Sequence, residues 1–588
     1  MPAASGSQPT TLTPMDLANT SLRLAQASLD LYSRGFSAGA RNGADPLGLQ
    51  EAGLEFAMSM LRDPLSLYSA QAQLWSDSVA LALRTLVDIE EVVEDPAPDR
   101  RFRDPDWDRN PLFNYIKQSY LIAARNIMKL VSEAGEMDPA ARGRLVFATQ
   151  QAVDALSPSN FAISNPQVLR KAMETRGKSL VDGLNHLLDD LQRSPGRFDI
   201  SMVEADAFKL GENIATTPGQ VVFQNELMQL IQYNPSTEKV NRRPLLVIPP
   251  WMNKYYVLDL RPDNSYLKWL VSQGHTVFVV SWVNPGKELA GKDFEDYMFE
   301  GPLAALAVIE QATGEREVNV IGYCLGGILL SATLAWMAAK GDDRIHSATL
   351  LTTMVDFRES GDVNVFMYED GLDELTESIH DLGYLDGKSV YHTFRSLRAN
   401  DLIWSFYINN YLLGNSPGNF DLLHWNADAT NMPAAIHTFC MRKLYIDNLL
   451  REPGGISLAG QALDVRKVKT PTYVLSTVED HIAPWRTTYE TTQLFAGPVK
   501  FVLSESGHIA GVVNPVDSGK YGHWLQSRYP GDPEQWLKSA RHVEGSWWPD
   551  WSRWMSRHGG GKRPARIPGD GQLACLEAAP GSYVKKRL

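Results

Sequence analysis

The 588-residue sequence holds only three cysteines, Cys324, Cys440 and Cys575. A count so low and odd builds no disulfide framework and fits a reducing cytosol. No Cys-x-x-Cys pair occurs, which removes the usual thiolate zinc site, and no metal is expected. The first residues, MPAASGSQPTTLTPMD, lack the basic-then-apolar order of a secretory signal. Positive charge is in deficit as well. Lys and Arg number 56 against 69 Asp and Glu, a formal net charge of −13. That balance excludes a general nucleic-acid binder, and an anionic substrate would need a local basic pocket. Long apolar runs are almost absent. Val318 to Ala339 is long and apolar enough to imitate a membrane span, but a glycine-rich middle divides it. It reads better as a buried strand followed by a buried helix, so no transmembrane segment is expected.

What is present is the composition of a globular chain, 44% hydrophobic and 21% charged, long enough for several domains. Apolar residues recur at helical spacing over 14–36, 48–92, 110–135 and 165–193. The spacing predicts a mainly helical N-terminal domain over 1–200, with 1–13 disordered and a charged, proline-rich loop at 94–111. After Ser194-Pro195-Gly196 the pattern changes. Short apolar runs at 244–250, 276–282, 318–324, 347–355, 471–478 and 499–504 alternate with helix-length connections. Continuous apolar strands separated by helices imply a parallel sheet covered on both faces. The rhythm breaks over about 358–460, which reads as a large cap or lid insertion. The catalytic domain is thus expected over 201–588. A tryptophan cluster (Trp547, Trp548, Trp551, Trp554) precedes GGGKRPARIPGDG, and about 558–588 reads as a flexible tail.

The sharpest chemical signal is Gly322-Tyr323-Cys324-Leu325-Gly326-Gly327, between the apolar run VNVI and an apolar helix. Gly-x-nucleophile-x-Gly in a strand–turn–helix context is the nucleophile elbow of the α/β-hydrolase fold. The glycines keep neighbouring Cβ atoms away from a strained turn, and the helix aims amide donors at the site. The plainer alternative is a buried structural cysteine in a glycine-rich turn.

In this fold an acid and then a histidine follow the nucleophile, at the ends of later strands. After PTYVLSTV stand Glu479, Asp480 and His481, and after VKFVLS stand Ser506, Gly507 and His508. Asp480 is the expected acid, with Glu479 its rival, and His508 is the expected base. A cysteine in place of serine suits attack on a thioester, because one thioester is exchanged for another and the acyl group stays activated. The first oxyanion donor is expected to be the Leu325 N–H. The second should come from Pro249-Pro250-Trp251-Met252-Asn253-Lys254-Tyr255-Tyr256, with the Met252 or Trp251 N–H as candidates. The alternative there is a structural proline turn with a packed aromatic pair.

The segments GYCLGG, PPWMNKYYVLDLRPDNS, QGHTVFVVSWVNP, VEDHIAPW, SGHIAGVVNP and LHWNADATNMP together resemble polyhydroxyalkanoate synthases over about 100–555. Length and the elbow resemble the class I branch, poly-3-hydroxybutyrate synthases among them. The resemblance implies an acyltransferase that polymerises 3-hydroxyacyl-CoA, works as a homodimer and needs no cofactor, CoA being released from the substrate. It also implies a cytoplasmic enzyme on polymer granules, in contact with the growing polyester chain and granule-associated proteins. By the same resemblance Cys324 carries the chain, His508 is the base, and Asp480 orients it. Asn253, Arg398 and His481 would lie near the CoA entrance, and Trp425 near a dimer contact. Trp251 departs from the family, which often has a smaller residue there; it either narrows the pocket or packs behind the loop. Two other functions use the same features: a hydrolase such as a thioesterase, and a non-enzymatic granule-coat protein.

Overall fold

Several N-terminal helices start where a capping side chain meets a proline. The computed structural model describes residues 48–87, 99–194, 199–204 and 206–588. The expected disorder of 1–13 and the helical pattern of 14–36 lie outside the described residues. Five helices dominate the first part: α1 (Leu49–Arg62), α2 (Pro64–Val87), α3 (Pro111–Ser132), α4 (Pro139–Ala155) and α5 (Lys178–Arg193). Asn110 and Asp138 accept the Leu112 and Ala141 amides, and a proline takes the first turn of α3 and of α4. Of the pattern read over 48–92, the described part, 48–87, is two helices, parted at Asp63-Pro64.

These helices belong to one compact unit, which runs to Glu204 and also takes in His392–Gly418 from the expected cap. Its apolar core joins Val168 and Leu187 to Ile403, Trp404, Tyr407 and Tyr411. Gly183 on α5 makes that junction close: a Cβ there would lie 1.9 Å from the Tyr411 carbonyl oxygen. The reading of 358–460 as one cap domain is therefore corrected. Its middle carries the aromatic residues that finish the helical core, and only 358–391 and 419–460 stay with the catalytic unit.

The second unit comprises 205–391 and 419–588. It is built on a sheet of eleven strands: β1 (Gly219–Gln224), β2 (Met228–Tyr233), β3 (Leu245–Ile248), β4 (Val277–Trp282), β5 (Val318–Tyr323), β6 (Ile345–Leu351), β7 (Thr472–Thr477), β8 (Val499–Ser504), β9 (His523–Leu525), β10 (Arg541–Val543) and β11 (Glu577–Ala578). Their order is β10-β9-β8-β7-β6-β5-β3-β4-β2-β1-β11. The six runs picked from the sequence are β3 to β8, and all run parallel to their neighbours among themselves. Antiparallel strands extend both edges. Helix α6 (Leu325–Lys340) follows β5 and is buried along most of its length, as expected for a helix apolar on all sides. The stretch that imitated a membrane span is thus β5, the turn and α6. Among the described residues no helix is long and apolar enough to cross a membrane.

The tail over 558–588 is ordered, which corrects the expectation of flexibility. Lys562–Pro564 pair with Lys239–Asn241, and β11 pairs with β1. Buried Glu315 accepts from Arg242, Arg563 and Arg566, 2.9, 2.6 and 3.2 Å away. Backbone ladders and charge, not an apolar stripe, hold this segment, so its composition reads as loose. Glu315→Gln strands the buried Arg566 guanidinium without its anion, a loss of about 3 kcal/mol. Limited trypsin digestion should then cut after Lys562 or Arg566 well before the rest of the chain. An unchanged digestion pattern would show that the arginine cluster does not hold the tail.

Candidate active site

Strand β5 delivers Cys324 to the point where α6 begins. Its backbone has φ 52° and ψ −120°, a conformation that costs a non-glycine residue on the order of 1–3 kcal/mol. The neighbours hold it there. The Cys324 amide donates to the Leu351 carbonyl at 2.9 Å, and its carbonyl accepts from the Gly327 and Ile328 amides at 2.9 and 3.0 Å. The flanking glycines are required by space. A Cβ on Gly322 would lie 2.5 Å from the Gly327 Cα, one on Gly326 2.1 Å from the Ile248 carbonyl oxygen, and one on Gly327 2.0 Å from the Thr353 hydroxyl. The Cys324 side chain is partly exposed, Cys440 is buried and Cys575 lies at the surface.

Asp480 follows β7 and His508 follows β8, so parallel strands bring both to the same end of the sheet as Cys324. One Asp480 oxygen accepts the Ile482 and Ala483 amides at 2.9 and 2.8 Å. The other accepts His508 Nδ1–H at 2.7 Å. Glu479, the rival acid, is exposed, whereas Asp480 is buried. With Nδ1 committed to Asp480, the ring presents Nε2 to Cys324. Burial disfavours the imidazolium, but the Asp480 carboxylate and the Cys324 sulfur outweigh it, and the His508 pKa stands well above the usual histidine value.

Two tyrosines complete the surroundings, and neither carries a sequence signal of its own. Tyr323 stacks on His508 with ring centroids 5.6 Å apart and donates its hydroxyl to the His508 carbonyl at 3.2 Å. Burial raises the Tyr445 pKa, and the Asp480 carboxylate adds to it, so this phenol stays neutral beside the site.

Leu325 is the first residue of α6, where amides have no acceptor within the helix. The loop that begins at Pro249 lies against the elbow, because Gly326 leaves room for the Ile248 and Pro249 carbonyls. Met252 and Cys324 both pack on the edge of the main core. Trp251 is buried, with its ring 6.2 Å from Phe294 and 5.4 Å from Tyr297. Of the two readings offered for it, the structure favours packing behind the loop.

Asn253, His481 and Arg398, expected at the CoA entrance, lie on three separate segments of the chain. Asn253 forms an antiparallel bridge with Ala429. His481 adjoins the acid, and its carbonyl accepts the Asp362 amide at 2.8 Å. Arg398 lies in the helical unit, half-exposed and paired with Asp401 at 2.6 Å. Trp425 is buried and donates its Nε1–H to the Lys254 carbonyl at 2.7 Å. Among the described residues no cluster of His, Cys, Asp and Glu forms a metal site.

Comparison with known proteins adds independent findings. The family described as "Poly-beta-hydroxybutyrate polymerase (PhaC) N-terminus" matches residues 98–270, and the alpha/beta hydrolase fold family matches 240–515. The chain is 47% identical over 532 residues to the poly(3-hydroxyalkanoate) polymerase subunit PhaC of Rhizobium meliloti, covering 90% of this chain and 87% of that one. It is 46% identical to the poly(3-hydroxyalkanoate) polymerase of Methylorubrum extorquens, over 90% of this chain and 89% of that one. It is 42% identical to the poly(3-hydroxyalkanoate) polymerase subunit PhaC of Cupriavidus necator, over 84% of each.

The three cysteines sit in three environments, which makes iodoacetamide a direct probe. At neutral pH, peptide mapping should find Cys324 labelled fastest, Cys575 at the rate of an ordinary exposed thiol, and Cys440 protected until the chain unfolds. His508→Gln should slow Cys324 labelling by about tenfold or more while leaving Cys575 unchanged. Equal labelling of Cys324 and Cys575 in the unaltered protein would exclude an activated thiol.

Proposed function

The chain belongs to the poly(3-hydroxyalkanoate) polymerase family, and on that ground we propose that it polymerises (R)-3-hydroxyacyl groups from their CoA thioesters through a thioester on Cys324. The observation that carries this reading is the Cys324–His508–Asp480 set at the elbow, with His508 bound to Asp480 at 2.7 Å and facing the cysteine. His508, raised in basicity by Asp480, draws the proton from the Cys324 thiol as the substrate is engaged. The thiolate attacks the acyl carbonyl of the substrate. The Leu325 and Met252 amides receive the oxyanion that forms. Collapse breaks the bond to CoA, and the imidazolium protonates the departing CoA thiolate. The neutral imidazole then takes the proton from the 3-hydroxyl of the next acyl group. That oxygen attacks the Cys324 thioester, an ester bond forms, and the thiolate–imidazolium pair is restored. Every proton is returned within the cycle, so no external acid or base is consumed.

Asp480 keeps the imidazole in the tautomer and orientation that each proton transfer needs. With 3-hydroxybutyryl-CoA, the proposed substrate, purified protein should release CoA thiol and deposit an extractable polyester. Cys324→Ala should do neither, and Asp480→Asn should lower the rate by about 10³-fold or more. Free 3-hydroxybutyrate as the sole acyl product would make the protein a thioesterase. No release from this or longer 3-hydroxyacyl-CoAs would leave a granule-coat protein.

We further propose that the enzyme works in the cytoplasm as a homodimer at the surface of its polymer granule, held there by the helical unit and in contact with granule-associated proteins. Support comes from exposed apolar side chains on α1 and α2: Leu61 is 81% exposed, Leu65 75% and Trp75 73%. Such residues suit an apolar surface better than water. Replacing these three with Gln should move the protein from the granule fraction to the supernatant, without changing CoA release from soluble substrate. Unchanged sedimentation with granules would overturn the assignment.

A further inference from the structure

The loop Trp251–Tyr256 is fastened by a second group of contacts that the thioester chemistry does not use. All come from residues 425–430 of the insertion, within the catalytic unit. Asp428 takes the Lys254 ammonium on one oxygen at 2.6 Å and the Tyr256 hydroxyl on the other at 2.9 Å. Trp425 donates to the Lys254 carbonyl at 2.7 Å, and Thr430 donates to the Trp251 carbonyl at 3.3 Å. Ala429 bridges Asn253. The Lys254 and Asp428 side chains are 2% and 7% exposed. A buried ion pair adds little stability over a well-packed apolar pair, because desolvation offsets the attraction. What it supplies is a fixed position: each charge tolerates only the geometry that satisfies the other. Here the arm holds Trp251 and Asn253, the chain neighbours of Met252 on either side, as well as Lys254 and Tyr256.

We infer that Asp428 is a positioning residue for acyl transfer: through Lys254 and Tyr256 it fixes the loop that presents the Met252 amide, so this arm of the insertion sets the oxyanion hole. The inference rests on the proposed role of Met252. It separates two reactions of one sulfur. Acyl transfer builds an oxyanion and needs the loop in place. Alkylation by iodoacetamide builds none, and needs only the thiolate and His508.

The test compares both reactions in Asp428→Asn and in the double variant Lys254→Met/Asp428→Leu, which removes both charges and so leaves neither stranded. In each, kcat for CoA release should fall by about 10- to 100-fold, as for a misplaced oxyanion donor. KM and the Cys324 alkylation rate should stay within about threefold of the unaltered protein, because substrate contacts and thiolate are kept. A kcat close to that of the unaltered protein in either soluble variant would overturn the inference. So would an alkylation rate that falls in step with kcat, because that pattern marks general damage to the site. Should Asp428→Asn be insoluble, the double variant carries the same readouts, and Trp425→Phe, which loses only the bond to the Lys254 carbonyl, should show a smaller loss of the same kind. If the unaltered protein released no CoA, the synthase reading would fall first. A working enzyme indifferent to Asp428 would overturn this inference alone.

Discussion

Gly326 has no Cβ, and the carbonyl oxygens of Ile248 and Pro249 lie where one would be. The rest of the site depends on that contact. It lets the loop after β3 rest on the first turn of α6. The strained turn at Cys324 then sits between that loop and the ends of β7 and β8. Strain of this kind persists only where surrounding structure over-determines it. Here three backbone hydrogen bonds and three glycines without room for a side chain supply the restraint. One methyl group on Gly326 would push the loop from the elbow, and the two proposed oxyanion donors would part.

The electrostatics follow from the same placement. His508 is enclosed, and enclosure alone would leave it neutral. Asp480 reverses that outcome because its carboxylate is itself oriented, two backbone amides on one oxygen leaving the other for the imidazole. A carboxylate free to rotate would lose part of its effect to side-chain entropy. Neutral Tyr445 and stacked Tyr323 close the surroundings without adding a competing charge.

The sequence made the centre of the sheet legible and its margins illegible, for one physical reason. Strands buried on both faces must be apolar throughout, so β3 to β8 stand out as continuous runs. The antiparallel strands of the margins escape that rule: β9 is His-Trp-Leu and β11 is Glu-Ala, defined by backbone pairing rather than by side chains. Helix α4 was missed as well, because its charged and polar residues interrupt any apolar stripe, and its start is marked only by Asp138 before a proline. Cys324, Asp480 and His508 could be picked out because each follows an apolar strand. The choice between Glu479 and Asp480 could not be made from order alone; it turns on which carboxylate the loop folds inward. Lys254 and Asp428, far apart in the chain, reveal nothing until the fold puts them 2.6 Å apart.

That last pair bears on why the insertion exists. A polymerase acting on thioesters must exclude water, or the acyl-cysteine is lost to hydrolysis. Covering the site would meet that need with apolar packing alone. Packing, however, fills space without fixing an amide to within a fraction of an ångström, since apolar contacts carry little directional preference. Hydrogen bonds and paired charges do carry it. The arm at 425–430 reaches the oxyanion loop through such directional contacts, and through them its position is coupled to the loop on which the chemistry is proposed to depend. If the arm shifts, the loop loses its fastening, and the proposed acyl transfer weakens with it. The coupling thus ties the proposed transfer to the seated position of the arm.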